Sequence, residues 1–147
     1  MFLQSVVAAV LGTVVMTLSS TTEMQWRQRP ASVVPGLAAN KLLGLVGMPE
    51  LKGRALDVLS TWTHWIYGAG WGVVFWLLTG AAGLPLPAAG VLFFLAVWLT
   101  EQIELPLLGI GVPWSWKWGI KANLIDAWHH IAYAAGTTLG YLLLAQV

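Results

Sequence analysis

Four stretches of this 147-residue chain stay apolar for long enough to cross a bilayer, and less apolar stretches separate them. A helical span needs ~20 predominantly apolar residues. Residues 2–22, 58–79, 87–106 and 124–146 have that length and predict four transmembrane helices. The first stretch lacks the marks of a cleaved signal. Arg27 and Arg29 follow it rather than precede it, and Thr21-Thr22-Glu23 is a poor cleavage site, so it reads as a retained span. Residues 35–47 are apolar but too short to span, and they predict a helix lying on the bilayer surface. The uncharged run from Thr79 to Pro87 is built of turn formers and predicts a tight hairpin. Pro106, which has no backbone N–H, is expected to end the third span.

Composition turns this pattern into a class. The chain is 58% hydrophobic and 9% charged, with a mean hydropathy of +0.75. A soluble domain carries about 25% charged residues, so this chain cannot cover a water-facing surface. It reads as an all-α membrane protein with a single transmembrane domain over residues 1–147, and the lipid bilayer is its first partner. With no cysteine, disulfides and thiolate metal sites are excluded. All seven Lys and Arg residues lie in the loops after spans one and three, and the Thr79–Pro87 turn and both termini hold none. The positive-inside bias then places both loops in the cytoplasm and both termini on the periplasmic or extracellular side. In the second loop, Val112-Pro-Trp114-Ser-Trp116-Lys117-Trp118 suits the headgroup belt rather than nucleic acid.

The pattern also repeats. Trp62-Thr-His64-Trp-Ile-Tyr67-Gly-Ala-Gly70 returns as Trp128-His-His130-Ile-Ala-Tyr133-Ala-Ala-Gly136. Upstream, Gly12 stands ten residues before Thr22-Glu23 as Gly90 does before Thr100-Glu101, counting to the threonine. The expected architecture is a pseudo-two-fold pair of helical hairpins plus the short interfacial helix, with spans two and four near the axis. Gly68 and Gly72, and likewise Gly136 and Gly140, are small-xxx-small pairs that let helices approach closely in lipid.

At ~1.5 Å rise per residue, His64, His130 and Glu101 fall roughly 5–8 Å inside the cytoplasmic edge, with Glu23 near it. Two-fold pairing predicts a ring of two carboxylates and two imidazoles, with Tyr67 and Tyr133 one turn on. Ionisable groups within spans mark function more often than not. Three readings of the group Glu23, His64, Tyr67, Glu101, His130 and Tyr133 remain open. It can clamp helices together, hold protons or a cation, or bind a metal through His64, His130 and Glu101, since imidazole and carboxylate suit Zn, Fe or Mn. His129, about 100° round the helix from His130, is expected at the surface. No nucleotide loop, zinc-protease motif or nucleophile elbow occurs, so neither a catalytic residue nor a cofactor is expected.

Val15-Met16-Thr17, His64-x-x-Tyr67-Gly68, Leu95-Ala-Val-Trp98, Leu105-Pro-Leu-Leu-Gly109 and His130-x-x-Tyr133 together resemble the YagU-like family of small bacterial inner-membrane proteins. Arg27-Gln-Arg29-Pro30 stands where that family carries a proline-rich segment ending in arginine. The resemblance implies a multi-pass inner-membrane protein without established biochemical activity and with a link to acid tolerance, and His64 and His130 carry it over. The expected function is a proton- or cation-responsive membrane protein. The alternative is an accessory subunit whose small-residue faces bind a partner membrane subunit or a second copy of the chain.

Overall fold

The structure, a computed structural model, describes residues 1–110 and 119–146. The tryptophan-rich segment 112–118 lies outside the described residues. The chain is all-helical: α1 Phe2–Trp26, α2 Val34–Leu45, α3 Arg54–Gly70, α4 Gly72–Trp76, α5 Leu86–Leu107 and α6 Ile120–Leu144. α3 and α4 form one rod, because Trp71 donates to Tyr67 O and Phe75 to Trp71 O across the break. That rod ends in a wider π turn, Leu77–Ala81.

Two helices, α1 and α5, are long and apolar enough to cross a membrane. α6 has 25 residues, but Lys121, Asp126, His129 and His130 make its first turns polar. Two sequence expectations shift. The hairpin begins later than Thr79, because the π turn carries the helix to Ala81. Pro106 does not end α5, which continues to Leu107. A proline in the last turn forfeits one backbone bond, and here Leu108 and Gly109 close the end by donating to Glu104 O and Pro106 O.

Helix directions are set by which residues meet. Gln4 donates to Leu144 O while Ser19 meets His129, so α1 and α6 are antiparallel. Phe2 meets Trp76 and Thr17 meets His64, so α1 and the α3–α4 rod are antiparallel too. Phe93 meets Tyr133 and Trp98 meets Asp126, which sets α5 against α6. The four rods therefore alternate up and down, with α1 and α5 running the same way. Glu23, His64, Glu101 and His130 all come to one end of the bundle. The six described Lys and Arg residues lie in or beside the segments at that same end.

The expected centre of the bundle is corrected. The most extensive interface joins α1 to α6, rather than span two to span four. The reason lies in side-chain size. α1 buries Ser5, Ala8, Ala9, Gly12 and Thr13, a stripe small enough for close approach on both of its flanks. A Cβ on Gly68 would fall 2.2 Å from Thr13 Oγ1, and one on Gly72 2.6 Å from the Val6 Cα. A Cβ on Gly136 would fall 2.9 Å from Val15 Cβ, and one on Gly140 3.0 Å from Leu11 Cδ1. All four glycines face α1. The remaining core is aromatic: Phe75 packs edge-on to Phe93 at 5.1 Å and Tyr141 at 5.5 Å, and Phe93 sits 5.4 Å from Tyr133.

α2 does more than lie on a surface. Gly36 and Ser60 bring it against α3, and Val34, Leu37 and Ala38 pack on Leu105, Leu108 and Ile110 at the end of α5. Asn40 fixes the return loop, donating to Leu51 O at 2.8 Å and accepting from Leu51 N at 3.1 Å. Asn40→Leu strands both backbone groups, a loss of about 1–3 kcal/mol each where water cannot replace the bond. The expected result is faster protease cleavage within residues 46–53 and a lower unfolding temperature; cleavage at the wild-type rate refutes it.

Candidate functional site

The polar end of the bundle holds two separate groups rather than one ring. α6 buries two adjacent stripes: His129, Tyr133, Gly136 and Gly140 on one, His130, Ala134, Thr137 and Tyr141 on the other. Residues three and four apart stack on a helix, and α6 lies between α1 and α5. Neighbouring histidines are thereby turned toward different partners.

His130, 4% exposed, faces α5. Its Nε2 lies 2.6 Å from Glu101 Oε2, and its Nδ1 lies 2.9 Å from the Asp126 backbone oxygen and 3.6 Å from Asp126 Oδ1. A backbone carbonyl only accepts, so Nδ1 is the donor in that bond. Nε2 then faces a carboxylate oxygen at a distance that needs a proton between them. Asp126 is itself held: the Trp98 indole N–H and the Gln102 amide donate to its Oδ2 at 2.9 and 3.3 Å. One ligand atom each from Glu101, Asp126 and His130 lies within 4.8 Å of the other two. Among the described residues, no Lys or Arg pairs with either carboxylate.

His129 is buried, which corrects its expected place at the surface. Its Nδ1 meets Ser19 Oγ at 2.9 Å, and its Nε2 lies 3.8 Å from Glu23 Oε2 with no hydrogen-bond partner. Its direction relative to His130 is the one the helical period requires. It is nevertheless buried because α6 is covered on both of those faces.

The expected ring is not formed. Glu23 is held by Arg27, which donates to its Oε1 at 2.7 Å, and by Arg29, whose Nε donates to Oε2 at 2.7 Å. His64 meets Thr17 Oγ1 at 2.9 Å instead of a carboxylate. Tyr67, partly exposed, donates to Glu104 Oε2 at 2.9 Å, and Tyr133 donates to Gly68 O at 2.6 Å. The polar contacts of the two halves are thus not equivalent. Arginines come after span one, whereas Leu105-Pro106 comes after Glu101, so the first glutamate has cations to hand and the second has a histidine. The expected metal set also changes, with Asp126 in place of His64 beside Glu101 and His130.

Asp126 is the residue that the sequence pattern alone does not single out. Its signal is Asp126-x-x-x-His130, a spacing that puts both side chains on one helix face. Trp98 likewise stands out in the sequence only as part of a family-like string. Beyond this end the bundle closes: Thr13 and Thr137 are buried and bond their own helices, and the Phe75–Phe93–Tyr133–Tyr141 cluster fills the middle.

Fold and site together define an all-helical protein with two helices able to cross a membrane and a partly buried carboxylate–histidine centre at the end that carries its described basic residues. Comparison with protein-family models, curated proteins and solved structures finds no match to this chain.

Proposed function

We propose that this chain is a four-span protein of the bacterial inner membrane, with both termini periplasmic, that holds a proton in a cytoplasmic-side carboxylate–imidazole centre and responds to its loss. The observation that carries the reading is the 2.6 Å contact between Glu101 Oε2 and His130 Nε2, with Nδ1 already committed to a backbone carbonyl. Two acceptors at that distance hold one proton or separate. The alternating helix order and the basic residues gathered at one end support the orientation under the positive-inside bias.

Holding is favoured over conducting. In the middle of the bundle the hydroxyls of Thr13, Tyr133 and Thr137 are each committed to a backbone carbonyl rather than to one another. The centre is also off the bilayer midplane, where secondary transporters place their substrates. No reaction is assigned to it. The accessory reading loses its main support, because Gly68, Gly72, Gly136 and Gly140 all face α1 within the chain.

The test is hydrogen exchange of the protein in lipid nanodiscs as pH is raised from acid to alkaline values, past the range in which free histidines titrate. Exchange at the facing ends of α5 and α6 is expected to rise once the shared proton leaves, after correction for intrinsic rates. Glu101→Gln and His130→Gln are expected to remove that pH dependence while the protein still inserts. A wild-type profile that matches both variants at every pH defeats the reading.

A further inference from the structure

Glu101, Asp126 and His130 each offer one ligand atom, and these atoms lie within 4.8 Å of one another. Trp98 and Gln102 both donate to Asp126 Oδ2 and hold that carboxyl group beside the other two side chains. No Lys or Arg among the described residues pairs with either acid.

From this three-donor geometry we infer that Glu101, Asp126 and His130 form a site for a first-row divalent metal ion, which displaces the shared proton. The inference rests on the proton-holding reading of the same centre and names the ligand class that competes for it. The balance is simple: a divalent ion enters, the proton between His130 and Glu101 leaves to solvent, and no electron moves.

Three features of the side chains fit an ion of this kind. The Nδ1–H of His130 donates to Asp126 O, the outer-shell bond that aims the Nε2 lone pair at a metal. Trp98 and Gln102 orient the second carboxylate in the same way. One imidazole beside two carboxylates suits borderline ions such as Zn, Fe or Mn better than Mg or Ca, which take oxygen donors. Exchange rather than coexistence is dictated by distance. Ligands at about 2.0–2.2 Å from one ion sit roughly 3–4 Å apart, whereas Glu101 and His130 are now at 2.6 Å. The pair must open slightly as Asp126 closes in, so proton and metal cannot occupy it together.

The experiment is calorimetric titration of the full chain in nanodiscs with Zn²⁺, run in two buffers of different ionisation heat, with metal content measured after dialysis. The expected result is about one ion bound per chain and about one proton released per ion. Glu101→Gln and Asp126→Asn should each weaken binding by at least about tenfold, while Glu50→Gln, exposed and paired with Lys52, should not. If the ligand variants do not fold, Gln102→Ala, which keeps all three donors, should still weaken binding measurably. Three results overturn the inference: no stoichiometric ion in the wild type, equal binding by wild type and both ligand variants, or binding without proton release. If the hydrogen-exchange response to pH persists in the first case, only the metal is lost and the proton-holding reading stands. If that response is also absent, both fall.

Discussion

Gly12→Val is expected to abolish the native packing of α1 on α6, and it is the most damaging single substitution the structure identifies. A Cβ at position 12 would lie 2.1 Å from Thr137 Oγ1, 2.6 Å from Tyr133 O and 3.0 Å from Thr137 N. The first of these is a side chain, but Thr137 is fully buried and its hydroxyl is bonded back to Tyr133 O at 2.9 Å. The other two are backbone, so relief requires α6 to move as a unit. That motion would pull Gly136 and Gly140 from Val15 and Leu11 and detach His129 from Ser19. Overpacking of this kind costs about 3 kcal/mol or more. Thermal unfolding in detergent reads the loss. Gly44→Ala is the control, since nothing lies within 4 Å of its added Cβ. A Gly12→Val protein that melts with the wild type would show that α1 and α6 are not this close.

The second large effect is His130→Ala. Removing the imidazole leaves Glu101 and Asp126 facing each other with no Lys or Arg among the described residues to balance them. Breaking a buried pair by deleting one partner costs about 3–5 kcal/mol, much of it from the charge left behind. His129→Ala, one residue away, should cost less, because beyond the cavity that both truncations leave it gives up a single bond to Ser19 and an Nε2 that has no hydrogen bond. A double-mutant cycle between His130→Ala and Glu101→Gln isolates the pair, with a coupling of about 1–3 kcal/mol expected. Equal losses at positions 129 and 130 would mean that the Glu101 contact contributes nothing.

The legible part of this protein is its helical order. Runs of apolar residues place every long helix within a few residues, and the proline-bounded stretch at 35–47 becomes α2. The gathering of Glu23, His64, Glu101 and His130 at one end is legible as well, because alternating helices of similar length leave no other arrangement. Which side chains pair is not. Glu23 and Glu101 occupy matching places in the repeat, yet their contacts depend on the neighbours a few residues further along the chain. Those are Arg27 and Arg29 for Glu23, but Leu105 and Pro106 for Glu101. Asp126 stays hidden because it sits at the edge of a span, where a carboxylate attracts no notice until Trp98 and Gln102 are seen to hold it. The central place of α1 is hidden too. Its small-residue stripe looks like any other alanine-rich helix until the glycines of two other segments are found against it.

That central place has a consequence for how the protein is made. α1 is synthesised before α6, yet their ends are joined by contacts such as Gln4 to Leu144 O, 140 residues apart in sequence. One flank of α1 packs on the α3–α4 rod, which is synthesised before α6. The flank that carries Gly12 stays uncovered until α6 packs against it. The histidine that completes the Glu101 centre arrives on that same segment. Closure of the α1–α6 interface and completion of the polar centre therefore come together, and a chain halted before α6 would hold α1 to α5 without the histidine of the site.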